Sequence, residues 1–420
     1  MQKQYDVIIV GSGPAGAIAA YELAKKGVKV LILEKDTLPR YKACGGAIQF
    51  KVTKYLPFDI SSVVEDIIYG VTFSHQFQDE FCRRSDKPLM YCVMRDRFDS
   101  FLVNKAIEQG AILIDGQRVT GVQILKEQVI VITKDYELCC QVVIGADGVN
   151  SIVAKSLNLM QGVPKSLGVQ SEIIVDGKIL SGQRGYARLD WGTLPSGYAW
   201  LFPKAKQFSV GVGGPITIGR ELKPYLSKFK EYLGLLNSKT NSFRGHLLPF
   251  RSPKTSICKK RGVLVGDAAG LVDAFTGEGI FQAIISSQIA TSVVYDYLNK
   301  KSGDLSKYEE LIDAQLMPEL LSARLFLHLF NCFPGRFHIY MKTHDRPWNA
   351  FCRILRGEKS FNNIKNELGP FQFLWNPIDK ITTAIEKHRL TTFNIGAIRF
   401  KPRKQNLETQ KLPATADNND

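Results

Sequence analysis

Cysteine is sparse and scattered in this chain of 420 residues. Of its eight cysteines only Cys139 and Cys140 lie together, and no Cys-x-x-Cys pair or His–Cys spacing outlines a zinc site. No metal is therefore expected. A chain this long can bury a sizeable core without disulfides, so free thiols in a reducing, cytoplasmic setting are the simplest reading. No charge-free run reaches the roughly 20 residues that cross a bilayer. No secretory leader is expected either, since Met1 to Tyr5 is polar and leads straight into an apolar strand that stops at Gly11. No internal repeat is visible.

Acidic residues are in deficit as well, 40 against 55 Lys and Arg, for a formal charge of +15. The imbalance is concentrated late: from residue 321 onward, sixteen Lys/Arg face eight Asp/Glu. Leu325, Phe326, Leu327, Leu329, Phe330 and Phe333 stand there beside Arg324 and Arg336. A basic, apolar stretch of this kind could dock on an anionic membrane face or attract a diphosphate, or it could be a solvated basic face over ordinary core helices. It does not suggest nucleic acid.

Along the chain, residues 5–10 (YDVIIV) read as a strand, Ala17 to Lys26 as a helix ending at Gly27, and Lys29 to Glu34 as a second strand, a βαβ unit in the expected order. Residues 91–94 read as a strand, Arg97 to Gln109 as a helix, and 111–145 as alternating strands. From about 165 to 255 the pattern becomes short, aromatic-rich antiparallel strands. Val263 to Val265 resumes the parallel-sheet character before a long helix from about Gly279 to Asn299. The expected class is α/β: a discontinuous Rossmann-type domain (1–50, 90–160, 258–300), an antiparallel substrate domain (51–89, 161–257), a helical C-terminal segment (301–405) and a disordered tail (406–420).

Gly11, Gly13 and Gly16 form G-x-G-x-x-G between the first strand and its helix. The spacing serves a tight turn, close backbone approach to a pyrophosphate and close helix–strand contact, and the helix N-terminus offers N–H groups to phosphate. Glu34 ends the second strand, where a carboxylate can accept hydrogen bonds from ribose hydroxyls, which favours FAD or NAD over NADP. Two distant segments favour FAD. Val142 to Ser151 carries Asp147 and Gly148 at the end of a strand. Val263 to Gly270 carries Asp267 and is followed by Thr276-Gly277-Glu278-Gly279-Ile280. An Asp at a strand end can bind the ribityl chain, and a Gly-rich turn opening a helix can aim N–H groups at the pyrimidine edge of the flavin.

Together with Pro39-Arg-Tyr-Lys-Ala-Cys44-Gly45-Gly46, Arg95-Asp-Arg-Phe98-Asp99 and Gly197-Tyr198-Ala-Trp200-Leu-Phe202-Pro203, these segments resemble the geranylgeranyl reductase family. That family lies in the hydroxylase-type branch of the glutathione-reductase-like flavoproteins. The resemblance covers roughly residues 4 to 300. It implies that Cys44, Gly45, Gly46 and Ala47 face the ring system, that Arg95 contacts the phosphates or ribityl region, and that Ala15, Val119 and Ile280 join the cofactor site. It implies reduction of isolated double bonds in a prenyl chain, with NADPH or ferredoxin as electron donor. Cys44 and Tyr198 are the candidate proton donors, although thiols and phenols are weak acids at neutral pH.

Strand alternation places Tyr198, Trp200 and Phe202 on one face, with Gly211 and Gly213 on the partner strand. Large rings opposite missing side chains suggest a slot for an apolar, elongated ligand. The rival readings are a flavin monooxygenase or halogenase on the same scaffold, and a membrane-associated protein that keeps FAD only for structure.

Overall fold

The computed structural model describes residues 4–367 except 254, with isolated positions from 380 to 388. The expected tail at 406–420 lies outside the described residues. Strand β1 (Gln4–Val10), helix α1 (Pro14–Ala24) and strand β2 (Val30–Leu33) build the first βαβ unit. Their β-branched and aliphatic runs are buried on both faces, as a parallel sheet covered on two sides demands. Helix α1 starts three residues earlier than the Ala17 expected. Pro14 sits at its first position, where a fixed φ and a missing N–H cost nothing.

There follow β3 (Ala47–Gln49), β4 (Val64–Ile68), β5 (Gly70–His75), β6 (Gln78–Arg84), β7 (Met90–Val93) and α2 (Arg95–Glu108). Next come β8 (Ile112–Ile114), β9 (Val119–Ile124), β10 (Val129–Thr133), β11 (Glu137–Gly145) and α3 (Ile152–Ser156). The middle of the chain supplies β12 (Lys165–Ile174), α4 (Gly177–Ser181), β13 (Tyr186–Trp191), β14 (Tyr198–Pro203), β15 (Gln207–Pro215), α5 (Gly219–Tyr232) and β16 (Thr240–Pro249). Last are β17 (Cys258–Lys259), β18 (Gly262–Leu264), α6 (Ile280–Leu298), α7 (Ser306–Gln315), α8 (Met317–Cys332), α9 (Pro334–Thr343), α10 (Asp345–Leu355) and α11 (Phe361–Asn366).

Among the described residues the strands form three sheets. The first runs β17-β18-β11-β1-β2-β8, with β9 and β10 attached to β11. Its strands β18, β11, β1, β2 and β8 are parallel. Because β18 pairs with β11 from far along the chain, the turn that follows it arrives beside Gly145, to whose carbonyl the Val265 N–H donates at 2.9 Å. The second sheet runs β16-β12-β15-β14-β13-β5-β6 and is antiparallel except for the β13–β5 pair. The third is β3-β7-β4, whose β4 and β7 bracket β5 and β6 in the chain.

The region 165–255 is not strands alone. Helix α5 interrupts it, burying Leu222, Tyr225, Leu226, Phe229 and Tyr232 at a helical spacing that the aromatic-rich strand pattern around it obscured. Phe77 stacks on Tyr225, Phe229 and Tyr232 at 5.3, 5.9 and 5.3 Å, which closes the outer face of the second sheet. On its inner face, Phe330 of α8 and Phe337 of α9 pack edge-on against Trp191 at 5.4 and 5.9 Å. Phe229 is buried in the α5 layer, away from the cavity described next. Phe229→Ala should therefore lower stability by about 3–5 kcal/mol in denaturant unfolding while leaving bound flavin per folded molecule unchanged.

Candidate active site

One continuous cavity of about 750 Å³ runs from the end of the parallel sheet to the inner face of the second sheet. At its polar end the glycine spacing is enforced by contact. A Cβ on Gly11 (φ +102°) would stand 2.4 Å from the Ala146 carbonyl oxygen, and one on Gly16 would stand 1.9 Å from the Gly11 carbonyl oxygen. Gly13 differs: a Cβ there would meet only the guanidinium groups of Arg40 and Arg95, at 3.9 and 4.0 Å. No side chain caps the N-terminus of α1. An uncapped helix start under two guanidinium groups is a site for an anion.

Glu34 lies at the same end. Its Oε2 accepts from the Ser12 N–H at 2.9 Å and the Ser12 hydroxyl at 2.6 Å, and its Oε1 accepts from the Asp36 N–H at 3.1 Å. Burial pushes its pKa up, but these bonds and Arg40 at 3.5 Å outweigh burial and hold the carboxyl below its usual range. Ala15 and Val119 also line this end. Gly16 does not reach the cavity; it supplies the helix–strand contact.

Asp147 and Gly148 border the middle of the cavity. Asp147 Oδ2 accepts the Ile152 and Val153 N–H groups at 2.7 and 3.3 Å, starting α3, while its Oδ1 is buried without a partner. Facing this turn, Asp267 Oδ2 pairs with His246 Nε2 at 3.1 Å. The glycine at 279 makes room for the other oxygen, since a Cβ there would be 2.9 Å from Asp267 Oδ1. Burial raises the Asp267 pKa, yet His246, Lys42 and Arg95 hold it below its usual range. Gly277 (φ +69°), Gly279 and Ile280 complete this wall, with Gly279 as the N-cap of α6.

The Cys44-Gly45-Gly46 turn is pinned by Lys204, whose Nζ donates to the Gly45 carbonyl at 2.7 Å and the Val93 carbonyl at 2.8 Å. Gly46 (φ +68°) is obligatory: a Cβ would stand 2.3 Å from the Val93 oxygen. Cys44 Sγ accepts the Gly46 N–H at 3.4 Å, and Ala47 carries the chain into β3 along the cavity. Arg95 is buried and grips Asp99 with two bonds of 2.7 and 2.8 Å; Asp99 also receives Arg40 at 3.0 Å.

Tyr198, Trp200 and Phe202 share the cavity face of β14, and Gly213 lies opposite. The expected slot over Gly211 is corrected by the structure. A Cβ on Gly211 would be 2.2 Å from the Trp200 ring, so the indole itself fills that space and Gly211 lines nothing. The open volume lies on the far side of the rings, toward Leu327, Phe330 and Phe337 of the C-terminal helices. The Tyr198 hydroxyl donates to the Thr276 carbonyl at 2.6 Å, and burial pushes its pKa up, so its proton is committed to the fold.

The cavity thus brings together all the candidate residues except Gly16 and Gly211. His246, Lys42, Lys204, Glu278 and the α8–α9 rings were not foreseen, because their roles depend on what folding packs around them. The fit to FAD is good: an anion cradle, a buried carboxylate just after β2, a buried unpartnered oxygen on Asp147, and a glycine-opened wall at 277–280.

An FAD binding domain family matches residues 4–49. The chain is 30% identical to digeranylgeranylglycerophospholipid reductase 1 of Methanococcoides burtonii, over 74% of this chain and 80% of that one. The chain belongs to the geranylgeranyl reductase family. Among solved structures, it is similar to a geranylgeranyl bacteriochlorophyll reductase-like protein from Thermoplasma acidophilum, with a TM-score of 0.70 and 23% identity over 93% of this chain and 98% of that one. It is equally similar in fold to the flavin-dependent brominase Bmp2, with a TM-score of 0.70 and 19% identity over 93% of this chain and all of that one. This member of the geranylgeranyl reductase family is an FAD-dependent oxidoreductase.

Asp267→Asn removes the carboxylate that pairs with His246 Nε2 and faces Lys42. It should weaken FAD binding by about ten- to a hundred-fold, read by titrating the apoprotein with FAD and following flavin fluorescence. Unchanged affinity would show that the 266–270 turn does not hold the cofactor.

Proposed function

We propose that the protein saturates isolated C=C bonds of a prenyl chain of geranylgeranyl type, with NADPH or a ferredoxin as electron donor. The observation that carries this reading is the continuity of the cavity: a cradle suited to a dinucleotide opens directly into a chamber walled by Tyr198, Trp200, Phe202, Phe330, Phe337 and Met341. When bound and reduced, FAD supplies a hydride there. The chain's own residues hold the substrate against it. An alkene offers no hydrogen-bonding handle, so it must be bound by shape and apolar area and kept from water, which aromatic walls accomplish. The Lys204-pinned turn sets Cys44 and Ala47 against the same space as the β14 rings.

The substrate's entry is consistent with a lipid surface. The inner side of α8 and α9 gives Phe330 and Phe337 to the cavity, while the outer side exposes Phe333 (54%), Ile339 (58%) and Tyr340 (42%) beside Arg336. No helix among the described residues is long and apolar enough to cross a membrane. The proposed setting is the cytoplasm, with peripheral docking at a membrane surface through these exposed rings and Arg336.

Anaerobic incubation of the dithionite-reduced protein with geranylgeranyl compounds of several head groups should give products heavier by two hydrogens per double bond in mass spectrometry. Oxygen or halide incorporation under aerobic conditions would instead favour the monooxygenase or halogenase reading. In a second test, Phe333→Ser with Ile339→Ser should reduce co-sedimentation with anionic phospholipid vesicles but leave FAD content unchanged; full retention on the vesicles would remove the docking surface.

A further inference from the structure

A prenyl double bond has no carbonyl to take up charge, so a proton must reach one carbon as hydride reaches the other. Neither candidate from the sequence is well placed to give it. Tyr198 donates to Thr276, and the Cys44 sulfur sits against the Arg95 guanidinium and accepts the Gly46 N–H.

Glu278 lies between Gly277 and Gly279 in the turn that opens α6. It lines the cavity and is only 8% exposed. Its two oxygens are in different situations. Oε1 accepts the Phe281 N–H at 2.7 Å, while Oε2 is buried without a hydrogen-bond partner in the described fold. A buried, unpartnered carboxylate oxygen is costly. In the neutral acid the carbonyl oxygen takes the Phe281 N–H, and the hydroxyl lies in the wall of the cavity with its proton uncommitted.

Two charged groups face it. Lys51, after β3, is turned over the Phe281 ring at 4.4 Å, and Asp273, on the same loop, is occupied by the Phe275 and Thr276 N–H groups at 2.8 and 2.9 Å. Burial lifts the Glu278 pKa to about 7, with Lys51 opposing the rise and Asp273 reinforcing it. A helix N-terminus ordinarily favours the carboxylate; here burial outweighs it.

We propose that the Glu278 carboxyl delivers the proton that saturates the prenyl double bond. The proposal rests on the prenyl-reductase reading above. In the balanced step, the alkene π pair forms a C–H bond with the Glu278 proton, leaving the carboxylate. The adjacent carbon accepts a hydride, and with it two electrons, from the reduced flavin, which is left oxidised. The carboxylate then regains a proton from solvent. Glu278 is thus a catalytic residue, and the acid form it needs is present below about pH 7 and lost as pH rises through that value.

Glu278→Gln keeps an oxygen for the Phe281 N–H, so fold and flavin content should persist. After anaerobic reduction, its reoxidation by a geranylgeranyl substrate should be about a hundred-fold or more slower than wild type. Reoxidation by ferricyanide, which protonates no alkene, should be unchanged. The wild-type rate with the prenyl substrate should fall as pH rises through about 7, Glu278→Asp should recover part of the rate, and the Gln variant should show no such limb. Independently of turnover, the infrared difference spectrum between wild-type and Glu278→Gln apoprotein should contain a protonated-carboxyl band that titrates near neutrality, on top of the band that buried Asp190 gives to both. If wild type is reoxidised but Glu278→Gln keeps pace, or if the band is absent, Glu278 is not the donor. If no prenyl compound reoxidises wild type, the reductase reading itself fails and the donor role falls with it.

Discussion

A side chain at position 16 would collide with the Gly11 carbonyl oxygen, and the geometry of the polar end depends on its absence. Only with hydrogen at that position can the first turn of α1 lie against the end of β1, which aims the helix's uncapped N–H groups into the cavity. The contact propagates through further small residues. A Cβ on Gly266 (φ +57°) would stand 3.1 Å from Ala15 Cβ and 3.2 Å from Ala283 Cβ, so α1, the 266–270 turn and α6 close on one another with almost no side-chain volume between them. Ser287 then ties α6 to α1 by donating to the Ala15 carbonyl at 2.8 Å. Two stretches of chain more than two hundred residues apart, α1 and the 266–298 region, meet because each is small at the junction.

The second sheet is fixed to this assembly by a buried cation. Lys204 is 1% exposed, which is expensive for an ammonium group unless its donors are used. Its Nζ bonds two carbonyls, one on the Cys44-Gly45-Gly46 turn and one on β7. Glu172 on β12 is close enough for the Lys204 charge to moderate the rise that burial causes in its pKa. Lys204 follows directly on the strand that bears Tyr198, Trp200 and Phe202, so the bond that holds the turn also sets the rings' height above it. Trp200 Nε1 comes within 3.1 Å of where a Gly45 Cβ would be, so the fit between ring and turn leaves no slack.

The repeating features of this arrangement were legible in the sequence. The βαβ unit, the return of a parallel strand at Val263 and the long helix after Gly279 follow from hydrophobic period and glycine spacing, which are local signals. The ring face of β14 followed from strand alternation. What was not legible depends on burial created elsewhere. His246 is a lone histidine on an antiparallel strand, and nothing local marks it as the partner of Asp267. Lys204 reads as a turn lysine until β7 and the glycine turn enclose it. Gly211 and Gly213 look equivalent, yet the Trp200 indole covers the first and leaves the second in the wall; a two-residue repeat cannot tell which way a ring will lie. Helix α5 was missed because its buried aromatics match the strand-like composition around it.

The cavity changes character along its length, and the change falls at the 273–280 loop. On one side are the α1 N-terminus, two arginines, Glu34, and Asp267 with His246, groups that suit phosphate, sugar hydroxyls and a ring edge. On the other are Phe, Trp and Leu side chains. The loop serves both. Gly277 and Gly279 bring backbone close to the polar side, Thr276 is held by Tyr198 from the aromatic side, and Glu278 is the ionisable group between them. Placing a carboxyl at such a boundary makes its protonation state responsive to what fills the chamber. An apolar chain that displaces water lowers the local dielectric and favours the neutral acid further, whereas water in an open chamber favours the carboxylate. The same desolvation that binds a hydrocarbon therefore keeps the carboxyl in the form that can donate, and the boundary's position in the fold follows from the glycines that let the loop pass between Asp267 and Tyr198.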